Sequence, residues 1–311
     1  MLSTLTVVLP IFALIFAGWL ARRIGVLGPQ ATSELNRFVV YLALPVLLFD
    51  IIAHARWAEV WQPGFVATFG LGSGLVFALT LAIRLRRPRH LADAAIDGLN
   101  GGYANAGFVG FPLAAVALGR DALAPTLIAT IMTVCVLFAV AIILIEVGLQ
   151  TETRRHHLVL KVARSLSRNP LLLAPVLGAL IPIAGLSIPA PAESFLKLLG
   201  GAASPCALIA LGLFLAEKRE NARPDVGSAA LLVVFKLVLQ PAVTWVLATA
   251  VFGLTPLLTH TAVLLAALPT GTGPFMLAEF YKREADITSN VVLVSTVLSV
   301  LTISAYLAVA V

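Results

Sequence analysis

Long apolar runs alternate with short polar joints along the whole chain. Runs of membrane-spanning length, about 20 residues, fall near 2–21, 36–54, 63–84, 92–118, 122–149, 169–185, 194–216, 226–252, 258–281 and 287–309. The pattern predicts an all-α membrane protein with ten transmembrane helices. The longest joint is the basic stretch 150–168, which separates a first half, 1–149, from a second half, 169–311. Two of the runs carry helix-breaking chemistry in their interior: "GGYANAGFVGFP", Gly101 to Pro112, and "PTGTGP", Pro269 to Pro274. Irregular backbone at membrane depth survives only where protein shields it or where it lines a cavity.

The halves echo each other. "ALGRDA" (117–122) and "FYKREA" (280–285) each follow a broken run and precede a polar-striped helix. At that offset Thr126 falls on Ser289 and Thr133 on Thr296, while Pro45 in the second run is echoed by Pro205 in the seventh. Two five-helix repeats are expected. Because five is odd, they enter the membrane in opposite orientations. Inverted repeats with interrupted helices at matching positions mark secondary transporters, with the broken fourth and ninth helices crossing at the site.

Composition agrees and narrows the class. Of 311 residues, 60% are hydrophobic and 12% charged, and the mean hydropathy is +1.01. The net charge of +6 does not point to nucleic acid, because the basic residues sit in short clusters between apolar runs, such as Arg84 to Arg89. With ten spans and both termini outside, 18 of the 21 Lys and Arg fall on the cytoplasmic side, as the positive-inside rule requires. Arg56, Arg120 and Lys197 remain outside. The first run precedes Arg22-Arg23 instead of following a basic segment, the reverse of signal-peptide order. Cys135 and Cys206 lie in mid-membrane runs and lack ligand spacing. No metal site or cofactor is expected.

Where two broken helices cross, four half-helix ends meet. The halves restarting near Gly110 and Gly273 offer free N–H groups and a partial positive charge, which suits a carboxylate. The ends before the breaks offer carbonyls, which suit a cation. Pro112 and Pro274 fit the first turn of a restarting helix, where a missing N–H costs little. The expected substrate-binding set is Asn105, Gly107, Gly110 and Pro112 at the first break and Pro269, Thr270, Gly271, Thr272 and Gly273 at the second, joined by Lys236 and Gln240. Lys236 lies about ten residues into the eighth run, roughly 15 Å along a helix, and an intramembrane ammonium is functional by default. Gln240 and Thr244 continue its stripe at i+4 and i+8. Its ammonium is expected near the carbonyl ends as a built-in substitute for a coupling cation, with direct contact to a substrate carboxylate as the second reading.

Asp97 has two readings, a proton-coupling carboxylate facing the cytoplasmic vestibule or a solvated cap. Asp50, Glu146 and Glu279 sit near segment ends, where solvation suffices. The stripes Thr126/Thr130/Thr133 and Ser295/Ser299/Thr302 read as glue between helices, and Gly70, Gly72 and Gly74 as close packing.

Several motifs together resemble the auxin efflux carrier family, which includes bacterial carriers proposed for malonate, malate and other organic acids. "GWLARRIGVL" with "LNRFVVYLALPVLLFDIIA" looks like its opening helices and "NAGFVGFPL" like its fourth-helix break. "RNPLLLAPVLGALI", "SPCALIALGLFLA", "FKLVLQP" and "ALPTGTGPFMLAEFY" look like its sixth to ninth helices. The resemblance implies a crossover fold similar to bile-acid transporters and sodium/proton antiporters, with elevator-like movement. Segments one, two, six and seven would form a scaffold, and three to five with eight to ten a moving core. It leaves room for a homodimer through the scaffold helices. The central loop, about twenty residues, is far shorter than in many plant auxin carriers, and the ninth-segment break has an extra Gly/Pro pair.

The resulting expectation is a secondary carrier for small organic anions, mono- or dicarboxylates, in the cytoplasmic membrane, with lipid and substrate as partners. The rival of the same fold is a cation/proton exchanger using the carbonyl ends and Asp97. A membrane-embedded enzyme is excluded by the absence of an aspartate pair, a serine–histidine arrangement or a zinc motif. The five histidines, His54, His90, His156, His157 and His260, map to loops or segment ends.

Overall fold

The computed structural model describes residues 2–55, 61–86, 88–150, 164, 166–217 and 226–310, with the side chains of 2–8 and 310 left aside. Arg56, Arg87, most of the basic joint (including Arg154, Arg155, His156, His157 and Lys161), Lys218, Arg219 and Arg223 lie outside the described residues.

The described chain is helical throughout. In order the helices are α1 Leu2–Arg23, α2 Ala31–Ala53, α3 Pro63–Leu85, α4 Leu91–Gly102, α5 Ala106–Leu118, α6 Arg120–Leu149, α7 Pro170–Ile183, α8 Ala190–Ala216, α9 Val226–Val251, α10 Pro256–Ala266, α11 Gly273–Phe280 and α12 Ala285–Ala310. Among the described residues, α2, α3, α6, α8, α9 and α12 are each long and apolar enough to cross a membrane, and α5, α7 and α10 are shorter apolar helices. The fourth and ninth apolar runs are each split, into α4/α5 and α10/α11.

Proline decides much of the local geometry. It lacks an N–H, and its ring clashes with the carbonyl four residues earlier. Three helices answer with a widened π turn that stops two residues short of a proline: Val39–Ala43 before Pro45, Ala106–Gly110 before Pro112, and Phe235–Leu239 before Pro241. Such turns often mark functional positions, and the third carries Lys236. Helix starts are equally local. Pro63, Pro170 and Pro256 open α3, α7 and α10, and the Asn169 side chain caps α7 by accepting from Leu171 N–H at 3.0 Å.

Packing divides the helices into two sets. α1 lies against α8 and α7 against α2. In the other set α4 packs between α3 and α6, while α9 packs on α3, α10 and α12. The α1–α8 contact is backbone to backbone. A Cβ added at Gly212 would sit 1.9 Å from Ile15 O, and one at Gly18 would sit 2.2 Å from Ile209 O. Small residues allow this approach where no hydrophobic force distinguishes helix from lipid.

At one end of the second set, the turn between α11 and α12 is pinned to α4. Arg283 makes a two-pronged pair with Asp93, at 2.5 and 2.9 Å, and Glu284 accepts from Arg89 Nη2 at 2.5 Å. Lys282 and Glu284 both hold positive φ, 55° and 56°, a conformation that costs a non-glycine residue free energy and needs such anchoring. Burial pushes the Glu284 carboxyl above its usual range, Asp97 adds to this and Arg89 opposes it.

Gly212→Leu drives a side chain into the α1 backbone and is expected to destabilise the protein by at least about 1–3 kcal/mol. Gly201→Leu, at a position with nothing within 4 Å, is expected to cost far less. Melting of the detergent-solubilised variants, followed by size-exclusion fluorescence, separates the two.

Candidate functional site at two paired helix breaks

The two breaks satisfy each other. After α4 ends at Gly102, Tyr103 turns extended, and Ala104 forms an isolated antiparallel bridge with Thr270. Asn105 N–H donates to Pro269 O at 2.9 Å, and Gly271 N–H donates to Tyr103 O at 3.1 Å. Thr270 ties the joint to its surroundings. Its N–H donates to Ser295 Oγ at 3.1 Å and its hydroxyl to Asn100 O at 2.9 Å. Backbone that leaves the helix at membrane depth is thus paired within the protein, as it must be.

The carbonyl ends are closed from one helix. On α9, Lys236 Nζ donates to Ala266 O, the last residue of α10, at 2.6 Å. One turn further, Gln240 Nε2 donates to Gly102 O, the last residue of α4, at 2.9 Å, and to Ser73 Oγ at 3.0 Å. Thr244 donates to Gln240 O at 2.8 Å, and all three side chains are fully buried. Among the described residues no carboxylate pairs with Lys236. Its counter-dipole is the negative end of α10.

The restarting ends face space instead. A cavity of about 180 Å³ is bounded by Asn105, Gly107 and Phe108 at the first break and Gly271, Thr272 and Gly273 at the second. Helices α2, α6 and α8 complete its walls. The N–H groups of Gly107 and Phe108 in α5 and of Gly273 in α11 lack partners within their own helices by construction, while Ala106 N–H is already taken by Ala104 O at 2.8 Å. The side chains of Asn105 and Thr272 and the Tyr103 hydroxyl have no hydrogen-bond partner among the described residues. Gly271 and Gly273 are there for the Tyr103 ring: an added Cβ would sit 2.8 Å from Tyr103 Cε1 at the first and 2.7 Å from Tyr103 Oη at the second.

Not every expected residue reaches the cavity. Gly110 packs against Leu265 and Leu268 of the other broken pair, and Pro112 is exposed on the outer face of α5. Pro269 and Thr270 shape the joint from behind. Lys236 and Gln240 stand behind it too, and neither lines the cavity.

The pattern of the membrane transport protein family matches residues 3–307. A Rhizobium meliloti protein named "Putative malonate transporter" is 33% identical over 302 residues, covering 96% of this chain and 93% of its own. A Methanothermobacter thermautotrophicus protein named "Uncharacterized transporter" is 27% identical, covering 95% of each chain. Auxin efflux carrier component 1 of Arabidopsis thaliana is 32% identical over 147 residues, 46% of this chain and 24% of its own. The chain belongs to the auxin efflux carrier family of membrane transport proteins. It is a multi-pass transporter, not an enzyme.

In this transporter Asp97 is no solvated cap. It is fully buried and accepts from Arg84 Nε at 2.7 Å, with Arg89 Nε at 3.2 Å. Arg84, itself 3% exposed, also donates to Ser228 Oγ at 2.7 Å. The cluster links α3, α4 and α9, and sequence reading missed its cation because Arg84 looked like a loop-end charge. Tyr103 and Asn100 were missed as well. Only a known pairing between the two breaks would have marked them, because their types are ordinary for a helix interior.

Gln240→Leu leaves Gly102 O without its buried donor, at an expected cost of about 1–3 kcal/mol. Asp97→Ala leaves Arg84 buried and unpaired, at about 3–5 kcal/mol. Thr249→Ala, which removes only an exposed hydroxyl bonded within its own helix, is expected to stay within about 0.5 kcal/mol. Thermal melts of the three variants check that order.

Proposed function

We propose that this transporter carries small organic anions with a carboxylate head, mono- or dicarboxylates, across the cytoplasmic membrane. The observation that carries the reading is the asymmetry of the four half-helix ends. The two negative ends are already occupied, by Lys236 and by Gln240 with Thr270. The two positive ends open onto the cavity beside Asn105 and Thr272. Donors without acceptors suit an anion. The relative named for malonate supports the same chemistry.

In this reading the split pairs each count as one span, giving ten, with the halves as inverted repeats and both termini outside. Helices α1, α2, α7 and α8 serve as the scaffold, and the remainder moves as an elevator carrying the site. Packing supports this partition, since α1–α8 and α7–α2 are among the tightest helix pairs and the breaks sit wholly in the other set. The cavity lies along the seam between the sets.

A cation/proton exchanger of the same fold would use the carbonyl ends and Asp97. It is disfavoured because Lys236 already holds the α10 end and Asp97 is locked between two arginines. Lys236 acts as the fixed equivalent of a coupling cation, balancing the anion within the moving set.

Flux in proteoliposomes tests the reading. Lys236→Ala is expected to reduce carboxylate uptake at least tenfold in protein that still elutes as a single folded species; unaltered uptake would remove the lysine from the mechanism. Asn105→Leu is expected to raise the half-saturating concentration about tenfold or more, the scale of one lost charge-assisted hydrogen bond. Unchanged affinity would make the break a kink and nothing else.

A further inference from the structure

The cavity has two chemically unlike walls. Among the described residues, every polar side chain on it comes from the set that carries the breaks: Tyr103, Asn105, Thr130 and Thr272. The opposite wall is hydrocarbon. Helix α2 presents Leu44, Leu47 and Ile51, spaced three and four residues apart on one face. Helix α8 presents Ala203 and Ala207, one turn apart and each 2% exposed. Among the described residues no Lys, Arg or His lines the cavity.

A small anion held by its carboxylate at the breaks has that wall beside the rest of its body. A second carboxylate there would be desolvated against leucine and alanine with no donor to meet it, a strongly unfavourable burial. An apolar tail would be favoured in proportion to its area. The space is also of the right scale, since an apolar cavity of about 150 Å³ admits benzene. Within the wall, the alanines are where room is left. Any larger side chain at either position would project into the cavity from a helix whose other faces are already packed.

We propose that Ala203 and Ala207 set the size of the apolar part of the carried anion, and that the site selects a monocarboxylate with a short hydrocarbon tail over a dicarboxylate. The proposal rests on the carboxylate-at-the-breaks reading. It also gives the wall a mechanical sense. The ligand makes no hydrogen bond to α2 or α8, so none has to break when the opposite set slides past them.

The test compares transport currents from proteoliposomes on solid-supported membranes, with acetate, butanoate, hexanoate and malonate as probes. For the unaltered protein, half-saturating concentration is expected to fall at least tenfold from acetate to hexanoate, and malonate is expected to do no better than acetate. In Ala207→Leu the hexanoate-to-acetate preference is expected to fall about tenfold. In Ala207→Gly, which enlarges the space, the preference shifts toward the longer chain, and this variant gives the readout if the leucine variant fails to fold. A flat chain-length profile, a preference for malonate, or variants with the unaltered profile would each overturn the proposal while leaving the carboxylate site standing. The absence of both current and radiolabelled uptake with all four anions would sink the carboxylate reading itself, and this inference with it.

Discussion

The buried ammonium of Lys236 on the last carbonyl of α10 is the interaction on which the rest of the site depends. Cutting a helix at membrane depth exposes carbonyls and N–H groups that lipid cannot satisfy. Here the carbonyl side of the problem is solved from one helix, with Lys236 on Ala266 and Gln240 on Gly102, four residues apart. The N–H side is left open beside a cavity. In the function proposed above, a site that could have taken either sign of ion is thereby biased toward anions.

Proline chemistry sets up that arrangement. Pro241 offers no N–H to the turn before it, the chain runs as a π turn over Phe235–Leu239 just ahead of it, and Lys236 stands on that turn. The same device recurs before Pro45 and Pro112. Around it, two kinds of contact hold the two helix sets apart in character. The α1–α8 pair is built on glycine-mediated backbone approach. The set that carries the breaks is tied at one end by charge: Arg84 and Arg89 on Asp97, Arg283 on Asp93 and Arg89 on Glu284. Those pairs join α3, α4 and the α11–α12 turn, so the two broken pairs are linked by ion pairs as well as at the breaks.

Much of this was legible in the sequence, and the physical reason is periodicity. Apolar runs of bilayer length, interrupted by Gly-Pro chemistry twice, could hardly mean anything else, and Lys236 with Gln240 and Thr244 stood out as a polar stripe in hydrocarbon. Partners were not legible. Nothing in the order of residues said that Gln240 would reach Gly102, that Thr270 would bond Asn100, or that Gly271 and Gly273 would make room for Tyr103. Those contacts join segments more than a hundred residues apart and depend on how the two breaks pair. Burial misled in one place: Arg84 read as a loop-end charge and is enclosed with Asp97, which rules out the solvated-cap reading of that carboxylate. Gly110 and Pro112 were grouped with the site by proximity in sequence; Gly110 packs on Leu265 and Leu268 and Pro112 is exposed, so neither lines the cavity.

The central claim is that the protein brings its own cation to an anion site. The most direct measurement is the charge displaced in proteoliposomes by a rapid jump in carboxylate concentration, with sodium absent and pH equal on both sides, compared with a sodium jump in the absence of carboxylate. The account predicts a transient of anion sign in the first experiment and none in the second. A sodium-evoked displacement with silence on carboxylate would contradict it, because the carbonyl ends would then have to be free to bind an external cation.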